Sequence, residues 1–245
     1  MSHSINIKEG AFILGDAHYS YKRPELLKFI YAIHSKQLTP TQLIFMGDIF
    51  DALFGSISNT CRENQELIGL IKDISQDIEV IYLEGNHDFN LKKVFKNMKI
   101  FTIYQQPVEC YYDNKKIYLA HGDFESNFGY RAYTWFIRNP FILPILNILN
   151  NTFNNFVLKN LDKYLGIKDD CKEFTGFREY IARRIEDKYS CDFFIEGHFH
   201  QNKRICYNKF IYINLSAFAC NQSYFVVKSS QDKELLKENF FSLQK

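Results

Sequence analysis

A chain of 245 residues, 46% of them hydrophobic, is long enough to bury a sizeable core, and no Pro/Gly/Ser-rich linker divides it. One α/β domain over residues 1–245 is therefore expected. A formal net charge of +2 excludes the broad basic field on which nucleic-acid binding relies. The six cysteines form no C-x-x-C pair, and no apolar leader opens the chain. The longest apolar stretch, residues 141–149, contains Pro144 and Asn147 and falls far short of the roughly 20 residues that span a bilayer. Reduced thiols in a cytoplasmic protein without a membrane-spanning helix are the expectation.

In chain order, residues 11–14 form the first of five short apolar runs, and Asp16-Ala17-His18 follows it. Pro24 then opens a segment with Leu26, Leu27, Ile30 and Ile33 on one helical face. Residues 43–46 run into Gly47-Asp48, and Leu67, Ile68, Ile71 and Ile74 repeat the helical spacing. Residues 80–83 precede Gly85-Asn86-His87-Asp88, residues 117–120 precede His121-Gly122-Asp123, and residues 193–195 precede Gly197-His198-Phe199-His200. The runs read as buried strands and the segments between them as crossover helices. After His200, residues 204–207, 210–215 and 224–227 alternate with turn-like Asn208-Lys209 and Asn221-Gln222, which predicts an antiparallel meander.

Strands that each deliver a polar cluster at the carboxyl end converge along one rim of a sheet, where ligands of open α/β sheets bind. Seven donors fall there: Asp16, His18, Asp48, Asn86, His121, His198 and His200. Imidazoles, carboxylates and an amide without a thiolate suit manganese, iron, zinc or nickel better than calcium. A single ion takes about three or four protein ligands, so seven donors suffice for two ions sharing a bridge. Two ions roughly 3.5–4 Å apart can clamp a phosphoryl group during in-line displacement. Hydrolysis of a phosphate ester or anhydride is the reaction class that follows.

Between His121 and His198 the chain holds far more residues than a crossover needs. Residues 126–158 carry only two charged side chains, Arg131 and Arg138, and no acid, among many aromatic and aliphatic ones. A helical insertion over about 125–190 is expected. Its apolar side chains are either buried core or a lid for an anionic, acylated substrate, and the same surface could dock on a membrane with Trp135 and the tyrosines at the interface. On the helix expected over 174–189, Arg178, Arg183 and Arg184 either face a phosphate or line a solvated face, with Arg178 the foremost candidate.

The ordered blocks D-x-H, G-D, G-N-H-D, H-G-D and G-H-x-H resemble the calcineurin-like metallophosphoesterase superfamily over residues 12–200. The resemblance implies two packed mixed sheets flanked by helices. It also implies one metal on Asp16, His18, Asp48 and His200 and a second on Asp48, Asn86, His121 and His198, with Asp48 as the bridge. His87, beside Asp88, would act in catalysis at the phosphate without ligating a metal, while Asp51 and Asp123 would orient neighbours. The insert, with G-D-I-F-D at 47–51 and G-N-H-D-F at 85–89, is similar to the UDP-2,3-diacylglucosamine pyrophosphohydrolases of lipid A biosynthesis, whose best-known branch has Arg where this chain has His87. That resemblance implies two divalent ions, manganese foremost, and cleavage of a lipid-linked nucleotide sugar to UMP and 2,3-diacylglucosamine 1-phosphate. The enzyme would lie peripherally on the cytoplasmic face of the inner membrane. Asn86, His87, Tyr130, Arg131, Arg138 and Arg178 are the candidates for substrate contact. Phosphoprotein phosphatase, cyclic-nucleotide phosphodiesterase or dinucleoside polyphosphatase activity on the same site is the alternative, and a binding module that has lost catalysis is a third reading.

Overall fold

The five runs are apolar at consecutive positions because each strand is covered on both faces, so alternate side chains enter two different cores. The computed structural model describes residues 5–125, 129, 134–136, 138, 139, 142, 145, 148, 171–229, 232 and 234–241. Among these, β1 (Ile5–Asn6), β8 (Val108–Tyr112), β9 (Lys115–Ala120), β10 (Phe193–Glu196), β12 (Ile211–Asn214) and β11 (Lys203–Cys206) form one six-stranded sheet in that order. A second sheet has the order β14 (Leu236–Phe240), β13 (Ser223–Val227), β2 (Phe12–Leu14), β3 (Gln42–Phe45), β5 (Glu79–Leu83) and β7 (Lys99–Phe101). Both are mixed: β9, β10 and β12 run parallel while β11 opposes β12, and β2, β3, β5 and β7 run parallel while β13 opposes β2. A short parallel pair, β4 (Leu53–Phe54) with β6 (Asp88–Phe89), stands beside them.

The sheets share an inner core of Ile13, Ile44, Met46, Ile81 and Leu83 from one side and Cys110, Ile117, Leu119, Phe193 and Ile195 from the other. The intervening residues Phe12, Leu14, Leu43, Phe45, Val80 and Tyr82 point outward, under α1 (Glu25–His34) and α3 (Gln65–Asp77). Leu26, Phe29, Ile30 and Ile33 line the buried face of α1, and Leu67, Ile68, Ile71 and Ile74 that of α3, as the 3.6-residue period requires. A six-residue helix α2 (Ser58–Glu63) precedes α3. On the other sheet, Phe177, Ile181 and Ile185 of α4 (Phe177–Ile185) cover Ala120, Phe194 and Tyr212. A last short helix, α5 (Phe218–Asn221), joins β12 to β13.

Three expectations are corrected. The five clusters do not lie on one sheet: β2, β3 and β5 belong to one and β9 and β10 to the other, so the rim is the shared edge of a sandwich. The C-terminal strands are not a simple meander, because β11 and β12 pair as a hairpin and β13 then crosses to the opposite sheet. The thiols are not all reduced: Cys171 and Cys220 form a disulfide with Cα atoms 5.9 Å apart. Their 49-residue separation gave no pattern to read, since only the fold brings residue 171 beside α5. Among the described residues, no helix is long and apolar enough to cross a membrane.

Ile44 is fully enclosed between the sheets. Ile44→Ala is expected to lower stability by about 2–5 kcal/mol, read as a lower urea midpoint with an unchanged slope; a loss near zero would contradict the shared inner core.

Candidate metal centre

The turns that carry the donors bend the chain sharply at the strand ends. Asp16 (φ 53°), His18 (φ 46°), Asp48 (φ 51°), His198 (φ 62°) and His200 (φ 57°) all occupy the left-handed region. Each such residue costs about 1–3 kcal/mol unless its surroundings enforce it. The enforcement is visible in the backbone. Asp16 N–H donates to Gly47 O (3.0 Å), His18 N–H to Asp48 O (3.0 Å), and Ala219 N–H of α5 to Asp16 O (3.1 Å). His198 N–H donates to Asp16 Oδ2 (2.9 Å), which ties the fifth cluster to the first across the two sheets. Gly85 and Gly197 are required by close approach: a Cβ at Gly85 would collide with the Asp48 carboxylate, and one at Gly197 would lie 2.5 Å from Asp16 Oδ2.

Two groups of donors result. Asp16, His18 and His200 form one, and Asp48, His121 and His198 the other, with the ligand atoms in each group within 4.8 Å of one another. His200 Nε2 is 3.0 Å from Asp16 Oδ1. His121 Nε2 is 3.3 Å from both Asp48 Oδ2 and Asn86 Oδ1. The His121 Nδ1 lies 2.9 Å from the Met46 carbonyl; because a carbonyl only accepts, Nδ1 carries the proton and Nε2 presents its lone pair to the cluster when the ring is neutral. A third group, His18, Asp51 and His87, adjoins the first two.

The donor set fits divalent cations. His18 Nδ1 and Nε2 are buried with no hydrogen-bond partner, Nδ1 standing 3.5 Å from Asp51 Oδ1, although buried polar atoms are nearly always paired. Asp16 and Asp48 are enclosed. Burial opposes the charge on Asp48, but His121 and His87 override it and hold its carboxyl well below the usual range. Burial likewise opposes the charge on Asp16, and His200 outweighs it. Burial disfavours a proton on His121, yet Asp48 raises its pKa well above the ordinary value. Burial, with His121 beside it, pushes His198 down to about 3. Without cations, protons on imidazoles neutralise the carboxylates, and divalent ions would take that role.

The other sequence candidates separate. His87 donates from Nδ1 to the Asp51 carbonyl (2.9 Å), and its Nε2 lies 3.9 Å from Asp48 Oδ2, at the edge of the cluster. Asp88 is turned away from that space: it accepts from the N–H groups of Asp48, Ile49, Phe50 and Gly85 and from Tyr82 Oη. Burial and Asp48 push its pKa up to about 7, against the pull of Tyr82 and Gly85. It latches the second cluster to the third. Arg138 is buried, donates from Nη2 to the Gly85 carbonyl (2.7 Å) and lies over the Phe89 ring (4.8 Å), so it anchors the insert beside the Asn86-His87 turn. Arg178 points elsewhere: it reaches the Cys206 carbonyl, at the end of the sheet opposite the donors. Tyr130 and Arg131 lie outside the described residues.

Sequence reasoning missed Gln106, whose Oε1 accepts from His121 N–H (2.6 Å) while Nε2 donates to Glu84 O (2.8 Å). It also missed the buried acids Glu84 and Glu196. Each ends an apolar run just before Gly-Asn or Gly-His, and an acid at a buried strand end is the signal that could have found them.

The sequence model of the family Calcineurin-like phosphoesterase matches residues 12–202. The UDP-2,3-diacylglucosamine hydrolase of Psychromonas ingrahamii is 23% identical over 198 residues, covering 77% of this chain and 79% of that one. Its namesake from Coxiella burnetii is 22% identical over 200 residues with the same coverage, and that from Tolumonas auensis 27% over 111 residues, 45% of each chain. Among solved structures, an archaeal phosphodiesterase overlays at TM-score 0.45 with 14% identity over 94% of this chain and 99% of that one. A dimetal phosphatase from Danio rerio overlays at TM-score 0.44 with 12% identity over 91% and 94%.

Because the raised pKa of His121 leaves a proton on the cluster at neutral pH, cation uptake must displace it, and affinity should rise with pH. Titration calorimetry in buffers of different ionisation enthalpy is expected to show proton release; uptake without release would contradict the assignment. Asp48→Ala should lose bound divalent metal by elemental analysis, and retention of the full wild-type content would count against Asp48 as a ligand.

Proposed function

The chain belongs to the calcineurin-like phosphoesterase family, and on that footing we propose that it hydrolyses the pyrophosphate of UDP-2,3-diacylglucosamine to UMP and 2,3-diacylglucosamine 1-phosphate. The reading includes two ions that Asp48 would bridge, manganese foremost among them, and an insert over about 125–190, most of 126–170 lying outside the described residues, that serves as a lid at a membrane surface. The observation that carries it is the joining of a buried donor cluster to the acid-free apolar stretch 126–158 of the insert through Arg138, whose guanidinium meets the carbonyl beside Asn86 and His87. Trp135, Phe136, Ile145 and Ile148 of that insert are each at least half exposed, a disposition that suits acyl chains and a lipid interface. Relatives bearing the name of this activity support the same choice.

Divalent ions in such a site supply Lewis acidity that polarises the phosphoryl group and lowers the pKa of the attacking water. The chain's own residues do the rest. Asp16, Asp48 and the imidazoles set the position of the reacting phosphate, and Asn86 adds an amide on the same side. With the Nδ1 proton committed to the Asp51 carbonyl, His87 keeps Nε2 toward the phosphate, and the ring donates from Nε2 to stabilise or protonate the departing oxygen when it carries a proton on both nitrogens. Arg138 keeps the insert, and with it the acylated sugar, in register with His87.

Incubation of the purified protein and manganese with detergent-dispersed substrate is expected to release UMP and the lipid 1-phosphate, followed by phosphorus NMR. Equal turnover of the deacylated UDP-sugar or of an aryl phosphate would overturn the choice of substrate. His87→Ala should keep its metal while kcat falls by roughly 10²–10⁴-fold. Loss of metal in that variant would put His87 among the ligands, with His18 and Asp51.

A further inference from the structure

Helix α4 ends the chain's long detour between the fourth and fifth clusters, and its Arg184 is buried. That guanidinium meets both clusters at once. Nη1 donates to the Gly122 carbonyl at 2.8 Å, next to His121. Nη2 pairs with the Glu196 carboxylate, two residues before His198. The ring of Phe124, just after the fourth cluster, lies 5.3 Å from the guanidinium carbon on one side, and the ring of Phe199, between His198 and His200, lies 5.1 Å from it. The same Glu196 oxygen, Oε2, also accepts from Tyr212 Oη at 2.8 Å, and the carbonyls of Glu196 and Gly197 accept from Asn214 Nδ2 at 3.1 and 2.6 Å.

We propose that Arg184 is a positioning residue for the metal centre: its planar fork, in contact with two aromatic rings, fixes the spacing of the turns that carry His121, His198 and His200. This rests on the metal-centre reading above. The imidazoles of His121 and His198 stand 5.0 Å apart, centroid to centroid, in the turns that follow β9 and β10, which the Arg184 fork spans. A lysine would keep the charge opposite Glu196 but lose the second donor arm and the stacking plane. Groups that orient ligands from behind typically change metal affinity or activity by about 10–100-fold when altered.

The test compares wild type, Arg184→Lys and the charge-neutral pair Arg184→Met with Glu196→Gln. Circular dichroism and melting report folding; manganese affinity by calorimetry and the visible spectrum of the cobalt-loaded protein report the site. Arg184→Lys is expected to fold, bind manganese about 10–100-fold more weakly and show an altered cobalt spectrum. The neutral pair relieves the unpaired buried acid and is expected to melt close to wild type while its metal affinity stays low. Wild-type affinity and an unchanged spectrum in Arg184→Lys, or recovery of both in the neutral pair, would overturn the positioning role. Failure of wild type itself to bind manganese would instead overturn the metal-centre reading.

Discussion

Two carboxylates, Asp16 and Asp48, are held away from water among four imidazoles, and the surrounding structure answers to that concentration of charge. Isolated buried carboxylates are strongly disfavoured, so each must be balanced by a cation or a proton. The imidazoles supply the proton, which is why the acids stay ionised while His121 is driven up and His198 down. Balance of this kind needs the groups close together, and closeness is what the left-handed turns at Asp16, His18, Asp48, His198 and His200 provide. Backbone strain at these positions and buried polar atoms without partners thus coincide at one cluster.

The cluster sits on a seam. Its residues come from the ends of strands in two sheets, so the inner core that packs Ile13, Ile44 and Ile81 against Ile117, Leu119 and Ile195 also sets the distance between the two donor groups. Polar ties then fix the rim locally. Asp16 with His198 N–H joins sheet to sheet, Asp88 gathers the second and third clusters, and Gln106 links the fourth cluster to the strand end at Glu84. Arg138 brings the insert into the same network. Stability and site geometry therefore depend on shared contacts, as expected where donors are placed on rigid elements and supported from behind.

Much of this was legible in the sequence for one reason: a polar cluster directly after a short apolar run marks the carboxyl end of a buried strand. The runs at Phe12–Leu14 and Phe193–Glu196 were therefore readable as strands. Their division between two sheets was not, because strands covered on both faces carry no mark of the sheet to which they belong. Asp88 looked like a partner of His87 by adjacency, yet successive residues diverge, and its carboxylate faces the backbone of Asp48 to Phe50. Among the arginines of α4, charge and spacing pointed to Arg178. The helix phase instead buries Arg184, beside Phe124 and Phe199, along with Ile181 and Ile185. The disulfide between Cys171 and Cys220 had no local pattern at all.

The family match accounts for the hydrolase chemistry, and the apolar insert supports the acylated nucleotide sugar as substrate. Both depend on the claim that the rim holds two divalent ions. Anomalous diffraction from crystals grown with manganese tests it most directly. The account predicts two peaks roughly 3.5–4 Å apart, one beside Asp16, His18 and His200 and the other beside Asn86, His121 and His198, with Asp48 touching both. A single peak, or a second peak seated among His18, Asp51 and His87, would contradict it.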